Sequence, residues 1–347
     1  MIPIYNEYAA IKNGLIIAFP LVVLRFKPNA AILCFDFVTT LICMTGSYTY
    51  NLTNTPFYSE KVFDLSRSED YLLWREFKLN LRPRDAEALK VAIEDPYSLN
   101  GGEIAAINQR CRDFGMAVYQ LRDASLTDKT LVHQLGKQLG LFSLDGNLRS
   151  DEDNVSSLEV RSQQGNQYIP YTNKPLSWHT DGYYNAPDKQ IRAIILHCAS
   201  PAAEGGINRL LDHELLYIYL RDENPAWVAA LMHPQAMTIP ANIENGKELR
   251  AAMTGPVFSV DKATSSLHMR YSARKRNIEW RDDAATKQAV SRINEILADE
   301  SKVLMHRLDA GQGVICNNVL HNRAGFEDSE DPQRLMYRAR YYDRNAN

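Results

Sequence analysis

Cysteine is scarce in this 347-residue chain: Cys34, Cys43, Cys111, Cys198 and Cys316 are odd in number and no two share a Cys-x-x-Cys spacing. That argues against a disulfide framework or a Cys-rich zinc site and for a reducing, cytoplasmic setting. An excess of one charge is also missing, since 39 Lys and Arg face 42 Asp and Glu for a net −3. Nothing therefore points to nucleic acid or a polyanionic partner. Long apolar runs are absent too: Gly14 to Leu24 contains Pro20, Ala30 to Met44 contains Asp36, and Arg25, Lys27 and Pro28 separate them. A transmembrane helix needs about 20 apolar residues, so no firm membrane association is expected. Glu7 lies where a signal peptide is basic, and no small-x-small site follows the first run. The 15 prolines and 17 glycines are scattered without repeats, which sets aside solenoids, collagen-like chains and linkers. Gly-x-Gly-x-x-Gly and Gly-Lys-Ser/Thr loops, a Gly-x-Ser-x-Gly elbow and a His-Glu-x-x-His pair are all lacking. Nucleotide-phosphate loops, serine hydrolases and zincin-type hydrolases lose their usual signatures.

What remains is an ordinary globular composition, 45% hydrophobic and 23% charged, long enough for one large or two smaller domains. The first fifty residues hold both apolar runs, although mean hydropathy over the chain is −0.35. Residues 1–55 read as an N-terminal extension outside the chemistry: a packed segment, a peripheral anchor or partner surface, or sequence ahead of a start near Met44. Residues 56–347 read as the working domain. Helices are expected after Ser68, after Asn100-Gly101 and after Ser125 or Thr127, the last with Leu131, Leu135 and Leu139 on one face until Gly140. Further helices follow Asp212, Asn224-Pro225 and Asp282-Asp283. Strands are expected at Phe114 to Leu121, Ile191 to Ala199, Val257 to Val260, Ser266 to Tyr271, Val303 to Leu308, Gly313 to Leu320 and Arg334 to Tyr342. Many short strands with inserted helices predict a mostly β, jelly-roll type double sheet with flanking helices.

The most informative stretch runs Pro170-Tyr-Thr-Asn-Lys-Pro-Leu-Ser-Trp-His179-Thr-Asp181-Gly-Tyr-Tyr-Asn185. An imidazole and a carboxylate two residues apart on an extended segment face one side and can grip one metal ion. Downstream, a Gly-rich turn at Gly311 and Gly313 leads through an apolar run to His321, a third ligand by type. Arg334, Arg338 and Arg340 then share one face of a strand. Three guanidinium groups on one face repel unless acids or an acidic ligand meet them.

This ordered set, His179-x-Asp181, His321 and Arg334-x-x-x-Arg338, resembles the Fe(II)- and 2-oxoglutarate-dependent dioxygenases of the taurine dioxygenase (TauD/TfdA) family. The local text Tyr171-Thr-Asn, His179-Thr-Asp181, Leu196-His-Cys198 and Gly205-Gly206 is also similar to gamma-butyrobetaine and trimethyllysine hydroxylases. The resemblance implies a double-stranded β-helix of the clavaminate synthase-like kind. It further implies that His179, Asp181 and His321 hold Fe(II), with open positions for 2-oxoglutarate and O2. Arg334 is expected to bind the distal carboxylate of 2-oxoglutarate and Arg338 an anionic substrate, with Arg340 the rival for the cosubstrate. Asn208 stands where the family usually has a Ser or Thr beside that carboxylate, and its amide can still donate. Related halogenases lose the carboxylate that Asp181 retains, so hydroxylation is the expected chemistry.

For substrate, Tyr183 and Tyr184 are expected at the site, with Tyr168, Tyr171 and Trp178 nearby; together they offer a cage for a quaternary ammonium or ordinary aromatic packing. Arg338, Arg340, Arg270 and Arg274 favour a carboxylate, sulfonate or similar charge. A small charged metabolite, such as an amino acid, carboxylate, sulfonate or betaine-like molecule, satisfies both. Homo-oligomerisation is left open. The other function class is a non-catalytic module that binds a metal or 2-oxoglutarate on the same scaffold.

Overall fold

In the computed structural model, side chains are described for residues 59–146, 153–160, 169–274, 276–328 and 333–345 except that of residue 244, and backbone strands also within residues 8–51. Leu21–Phe26, Ala30–Phe35, Val38–Cys43 and Thr49–Asn51 pair in succession, antiparallel, so both apolar runs fall on strands. The side chains on which the packing of the extension turns, and Tyr168, lie outside the described residues. No helix among the described residues is long and apolar enough to cross a membrane.

Backbone contacts divide the chain into two compact units, Met1–Asn80 and Leu81–Asn347. Helix α1 (Ser68–Leu81) carries Glu69 and Asp70 in its first turn, where the helix dipole favours acid, and buries Tyr71 and Trp74. The Trp74 ring meets Phe63 edge-on at 5.3 Å.

The second unit is built on two sheets. The larger has six strands in the spatial order Lys90–Ile93 (β1), Met116–Leu121 (β2), Gln312–Cys316 (β8), Ala193–Ser200 (β5), Leu335–Tyr341 (β10) and Ser156–Leu158 (β3). The smaller has four, in the order Leu176–His179 (β4), Leu320–Arg323 (β9), Asn208–Leu211 (β6) and Leu304–His306 (β7). Only the β1–β2 pair in these sheets is parallel, and the two sheets do not close into a barrel.

Period-two alternation sorts the larger sheet's side chains by face. Odd-numbered Ala117, Tyr119, Leu121, Ala193, Ile195, Ile315, Ala339 and Tyr341 pack under α2 (Gly101–Phe114) and α3 (Thr130–Gln138), against Ile107, Cys111, Leu131, Val132 and Leu135. Even-numbered Met116, Val118, Ile194, Cys198, Val314, Cys316 and Met336 form a second core with Leu210 of β6 and Val319. Cys111, Cys198 and Cys316 are free, buried packing residues, as small hydrophobes commonly are.

Most helix starts lie where their caps predict. Asn100 and Glu103 make a reciprocal capping box at α2. Asp212, Asn224 and Asp283 cap α4 (His213–Glu223), α5 (Pro225–Leu231) and α6 (Ala284–Ala298). Three expectations differ. The strand expected from Phe114 begins at Met116, because Phe114 ends α2 and Gly115 turns the chain at φ 72°. Neither Ser125 nor Thr127 caps α3; the Asp128 carboxylate accepts from the Thr130 amide at 2.9 Å instead. The strand expected from Gly313 to Leu320 is broken at Asn317-Asn318, so β8 and β9 belong to different sheets.

Two consequences for stability follow from the helix-covered face. A Cβ on Gly313 would sit 2.3 Å from the Tyr119 ring, whose hydroxyl is held 2.9 Å from His197 Nδ1. Gly313→Ala should lower stability by about 1–3 kcal/mol in urea unfolding. His197 stacks between Tyr119 and Tyr337 at 5.9 and 6.5 Å, and burial pushes its pKa from 6.5 down to about 4. The unfolded chain therefore takes up this proton at higher pH than the native one, and stability falls as pH drops from 6.5 towards 4. In a pH series of urea unfolding, His197→Gln should show a shallower slope across that window.

Candidate metal centre

β4 ends on His179, and its direct partner across the β4–β9 ladder is His321. Their ring centroids lie 4.3 Å apart. Asp181 follows in a turn rather than on the extended segment, and Gly182 at φ 65° leads the chain away. A Cβ at Gly182 would strike Ile191 at 2.5 Å, so this close turn admits only glycine without rearrangement. One ligand atom from each of His179, Asp181 and His321 lies within 4.8 Å of the others. Among the described residues this is the one group of three or more His, Cys, Asp or Glu with metal-binding spacing.

The imidazoles are pinned in matching fashion. His179 Nδ1 is 2.8 Å from the Ser177 carbonyl and His321 Nδ1 is 2.9 Å from the Val319 carbonyl. A carbonyl only accepts, so each Nδ1 carries the proton and each Nε2 presents a lone pair to a metal. His179 Nε2 stands 3.4 Å from Asp181 Oδ1. Burial opposes ionisation of Asp181, yet Arg338, His179, Arg340 and His321 hold its carboxyl well below the usual range. Burial, reinforced by His179, pushes the His321 imidazole down to about 4. At neutral pH the carboxylate is ionised and His321 is neutral, the states in which both donate electron pairs.

Asp181 is fixed by a residue the sequence did not single out. Asn318, at φ 52°, accepts from the Asp181 amide at 2.8 Å and donates to the Asp181 carbonyl at 2.9 Å. It also donates to the Ile191 carbonyl at 2.7 Å. The visible sign was a pair of asparagines, Asn317-Asn318, inside an apolar run.

The three arginines of the last strand meet different partners. Arg340 pairs with the buried Asp145 and donates to the Tyr184 hydroxyl at 3.2 Å. Asp145, also missed in the sequence, accepts from Tyr342 at 2.6 Å. Arg338 Nη1 lies 3.2 Å from Asp181 Oδ2, a buried oxygen that receives no hydrogen bond. Arg334 is buried without an ion pair to any carboxylate of the described residues. It lines a small surface pocket with Gly205, Gly206, Asn208, Arg307 and Met336. The Phe326 ring lies between Arg334 and Arg323, 4.8 and 4.7 Å from their guanidinium carbons. Burial lowers the Arg334 pKa and Asp328 offsets this only in part, so an anion entering this pocket would be favoured by the remaining charge.

Tyr183 and Tyr184 meet edge-on at 5.2 Å, two and three residues beyond Asp181. Arg250, unnoticed in the sequence, stands over the Tyr184 ring at 5.7 Å. Arg270 is directed elsewhere, donating to the Met237 carbonyl, and so takes no part in the cluster. His197 faces the helices, and His213, His233 and His306 bond to a backbone carbonyl, a backbone amide and Gln312. None of these joins the metal group.

A model of the taurine catabolism dioxygenase TauD, TfdA family matches residues 79–340. A uridine-5'-phosphate dioxygenase of Streptomyces sp is 27% identical over 199 residues, 55% of this chain and 71% of that protein. The solved asparagine oxygenase in complex with Fe(II), 2S,3S-3-hydroxyasparagine and succinate is similar with a TM-score of 0.52 at 15% identity, over 84% of this chain and 92% of its own. The non-heme iron oxygenase OrfP in complex with Fe, succinate and (3S)-hydroxy-L-Arg is similar with a TM-score of 0.54 at 16% identity, over 84% and 93%.

Because Asn318 holds both backbone groups of Asp181, Asn318→Ala should weaken divalent-metal binding about 10- to 100-fold. Competition titration of the apoprotein against a chromogenic chelator measures this; unchanged affinity in folded Asn318→Ala would show that Asp181 is held by other means.

Proposed function

The chain belongs to the taurine catabolism dioxygenase TauD, TfdA family, and from that membership we propose an enzyme that hydroxylates a C–H bond of a small charged metabolite. It is a non-haem dioxygenase dependent on Fe(II), 2-oxoglutarate and O2. The observation that carries the assignment of the centre is the convergence of His179, Asp181 and His321 within 4.8 Å. Two imidazoles and one carboxylate are the donor set suited to Fe(II) with open positions, and the unbonded Asp181 Oδ2 adds an unsatisfied acceptor.

When bound, the iron with its cosubstrate supplies the oxidising power that the side chains lack. The residues do the rest. His179, Asp181 and His321 hold the metal, each imidazole kept in one tautomer and orientation by its carbonyl partner. Arg334 binds the distal carboxylate of 2-oxoglutarate, with the Asn208 amide beside it in the same pocket. Arg340 is the weaker candidate for that task, since Asp145 already neutralises it. Arg338 faces Asp181 and is placed to meet the reacting end of the substrate. The apolar core between the sheets, including Ile194, Cys198 and Met336, keeps the floor of the site dry.

For the scaffold, we read the two sheets as an open form of the double-stranded β-helix. The similarity to asparagine oxygenase and OrfP over 84% of the chain supports this. Those proteins and the uridine-5'-phosphate dioxygenase carry small charged molecules in their names, which supports the same class here, from amino acids to carboxylates, sulfonates and betaine-like molecules.

Loaded anaerobically with Fe(II) and 2-oxoglutarate, the protein should show the visible charge-transfer band of a chelated complex. The band should vanish in His321→Ala, and Arg334→Ala should need at least about tenfold more 2-oxoglutarate to reach it. A silent Arg334→Ala beside a defective Arg340→Ala would reverse the arginine assignment. Absence of the band in the wild-type protein would favour a non-catalytic binding module.

A further inference from the structure

We propose that Phe326, held between Arg323 and Arg334, is a positioning residue for the cosubstrate: it fixes the plane of the Arg334 guanidinium so that its N–H groups meet the distal carboxylate of 2-oxoglutarate together. The proposal rests on the assignment of Arg334 to that carboxylate made above, and adds the ring that sets its affinity.

The ring is buried, 6% exposed, with the guanidinium carbons of Arg334 and Arg323 at 4.8 and 4.7 Å from its centroid. Neighbouring chain fixes it there. The Phe326 amide donates to the Asn173 carbonyl at 3.1 Å. Phe326 stands opposite Gly205 in a short antiparallel ladder in which Glu204 faces Glu327. Gly205 and Gly206 have left-handed φ of 73° and 70°, and the Gly206 amide donates to the Gly325 carbonyl at 3.0 Å. A Cβ on Gly205 would meet that carbonyl oxygen at 2.4 Å. The diglycine therefore lets the segment that carries the ring close against the pocket wall.

Arg323 lies on β9, two residues after His321 and opposite Asn208 of β6. It donates to the carbonyls of Thr172 and Lys174, in the chain that leads into β4. These bonds anchor one guanidinium beside the ring. The other is left available. The Arg334 amide, not its side chain, donates to Asp328 Oδ1 at 3.0 Å, and Asp328 Oδ2 receives no hydrogen bond.

Stacking uses the π surface of a guanidinium and none of its N–H donors, which lie in its plane. A fork held in this way keeps two parallel donors for a carboxylate, the geometry of a bidentate pair. It has also lost part of its rotamer freedom before the ligand arrives, which lowers the cost of binding. Two cations that share one ring repel each other, and an anion at Arg334 relieves that repulsion. Plain core packing at Phe326 is the alternative, and any apolar side chain of similar volume would satisfy it.

The test is anaerobic titration of the Fe(II)-loaded protein with two 2-oxo acids, followed by the visible charge-transfer band. 2-Oxoglutarate carries the distal carboxylate; 2-oxobutyrate chelates through the same end and lacks it. Phe326→Leu removes the π face and keeps an apolar side chain. It should need about five- to tenfold more 2-oxoglutarate for half-saturation, with an unchanged requirement for 2-oxobutyrate. In an Arg334→Ala background, Phe326→Leu should add no further loss. Phe326→Met, also apolar and without a π face, is read by the same criteria if Phe326→Leu does not fold. Equal 2-oxoglutarate requirements in wild type and folded variant, or an equal loss for both acids, would overturn the proposal. Unchanged 2-oxoglutarate binding in Arg334→Ala overturns the cosubstrate assignment and this proposal with it. A defect in Arg334→Ala beside a silent Phe326→Leu overturns the proposal alone.

Discussion

The amide of Asn318, bonded at once to the Asp181 amide, the Asp181 carbonyl and the Ile191 carbonyl, is the constraint around which the rest of the site is arranged. It sits where the chain leaves β8 of the larger sheet and enters β9 of the smaller one. The crossing that delivers His321 is therefore the same one that holds Asp181. A single buried side chain ties the segments of Asp181 and His321 to the junction of the sheets. Each of its bonds satisfies a backbone group that would be costly to bury alone.

Electrostatics then sorts the arginines of β10 and the residue before it. Three guanidinium groups on one strand face are tolerated because each has a separate environment. Asp145 compensates Arg340, Asp181 faces Arg338, and Arg334 is stacked against Phe326 with Asp328 offsetting its burial only in part. The strand alternation that points Arg338 and Arg340 inward sends Tyr337, Ala339 and Tyr341 to the helix-covered face. A shift of register by one residue would exchange the two sets and lose both the core and the site.

Local signals in the sequence were the dependable ones. Asn100 with Glu103, Asp212, Asn224 and Asp283 announce their helices because a cap interacts with residues two or three positions away. The clustering of His179, Asp181 and His321 was legible because few residue types bind metals and their order resembled a known pattern. Long-range partners were not. Asp145 is 195 residues from Arg340 and Asn318 is 137 from Asp181, separations at which nothing in the local text signals a contact. The break at Asn317-Asn318 was hidden by its neighbours: Val314, Ile315, Cys316, Val319 and Leu320 all suit a strand. The bonds to Asp181 and Ile191 fix the left-handed turn at Asn318, a conformation that asparagine tolerates better than most residues.

β4 is an edge strand of the smaller sheet, with β9 on one side and no sheet strand on the other. The segment from Tyr271 to Ala273 lies along that open side through the Thr180 and Ala273 amides. Exposed edges invite pairing with other chains, so this segment acts as a guard as well as a wall. Withdrawing it to widen the entrance would leave backbone groups beside His179 unpaired. The strand that carries His179 thus has its own protection against aggregation, one that any opening of the site along this side would forfeit.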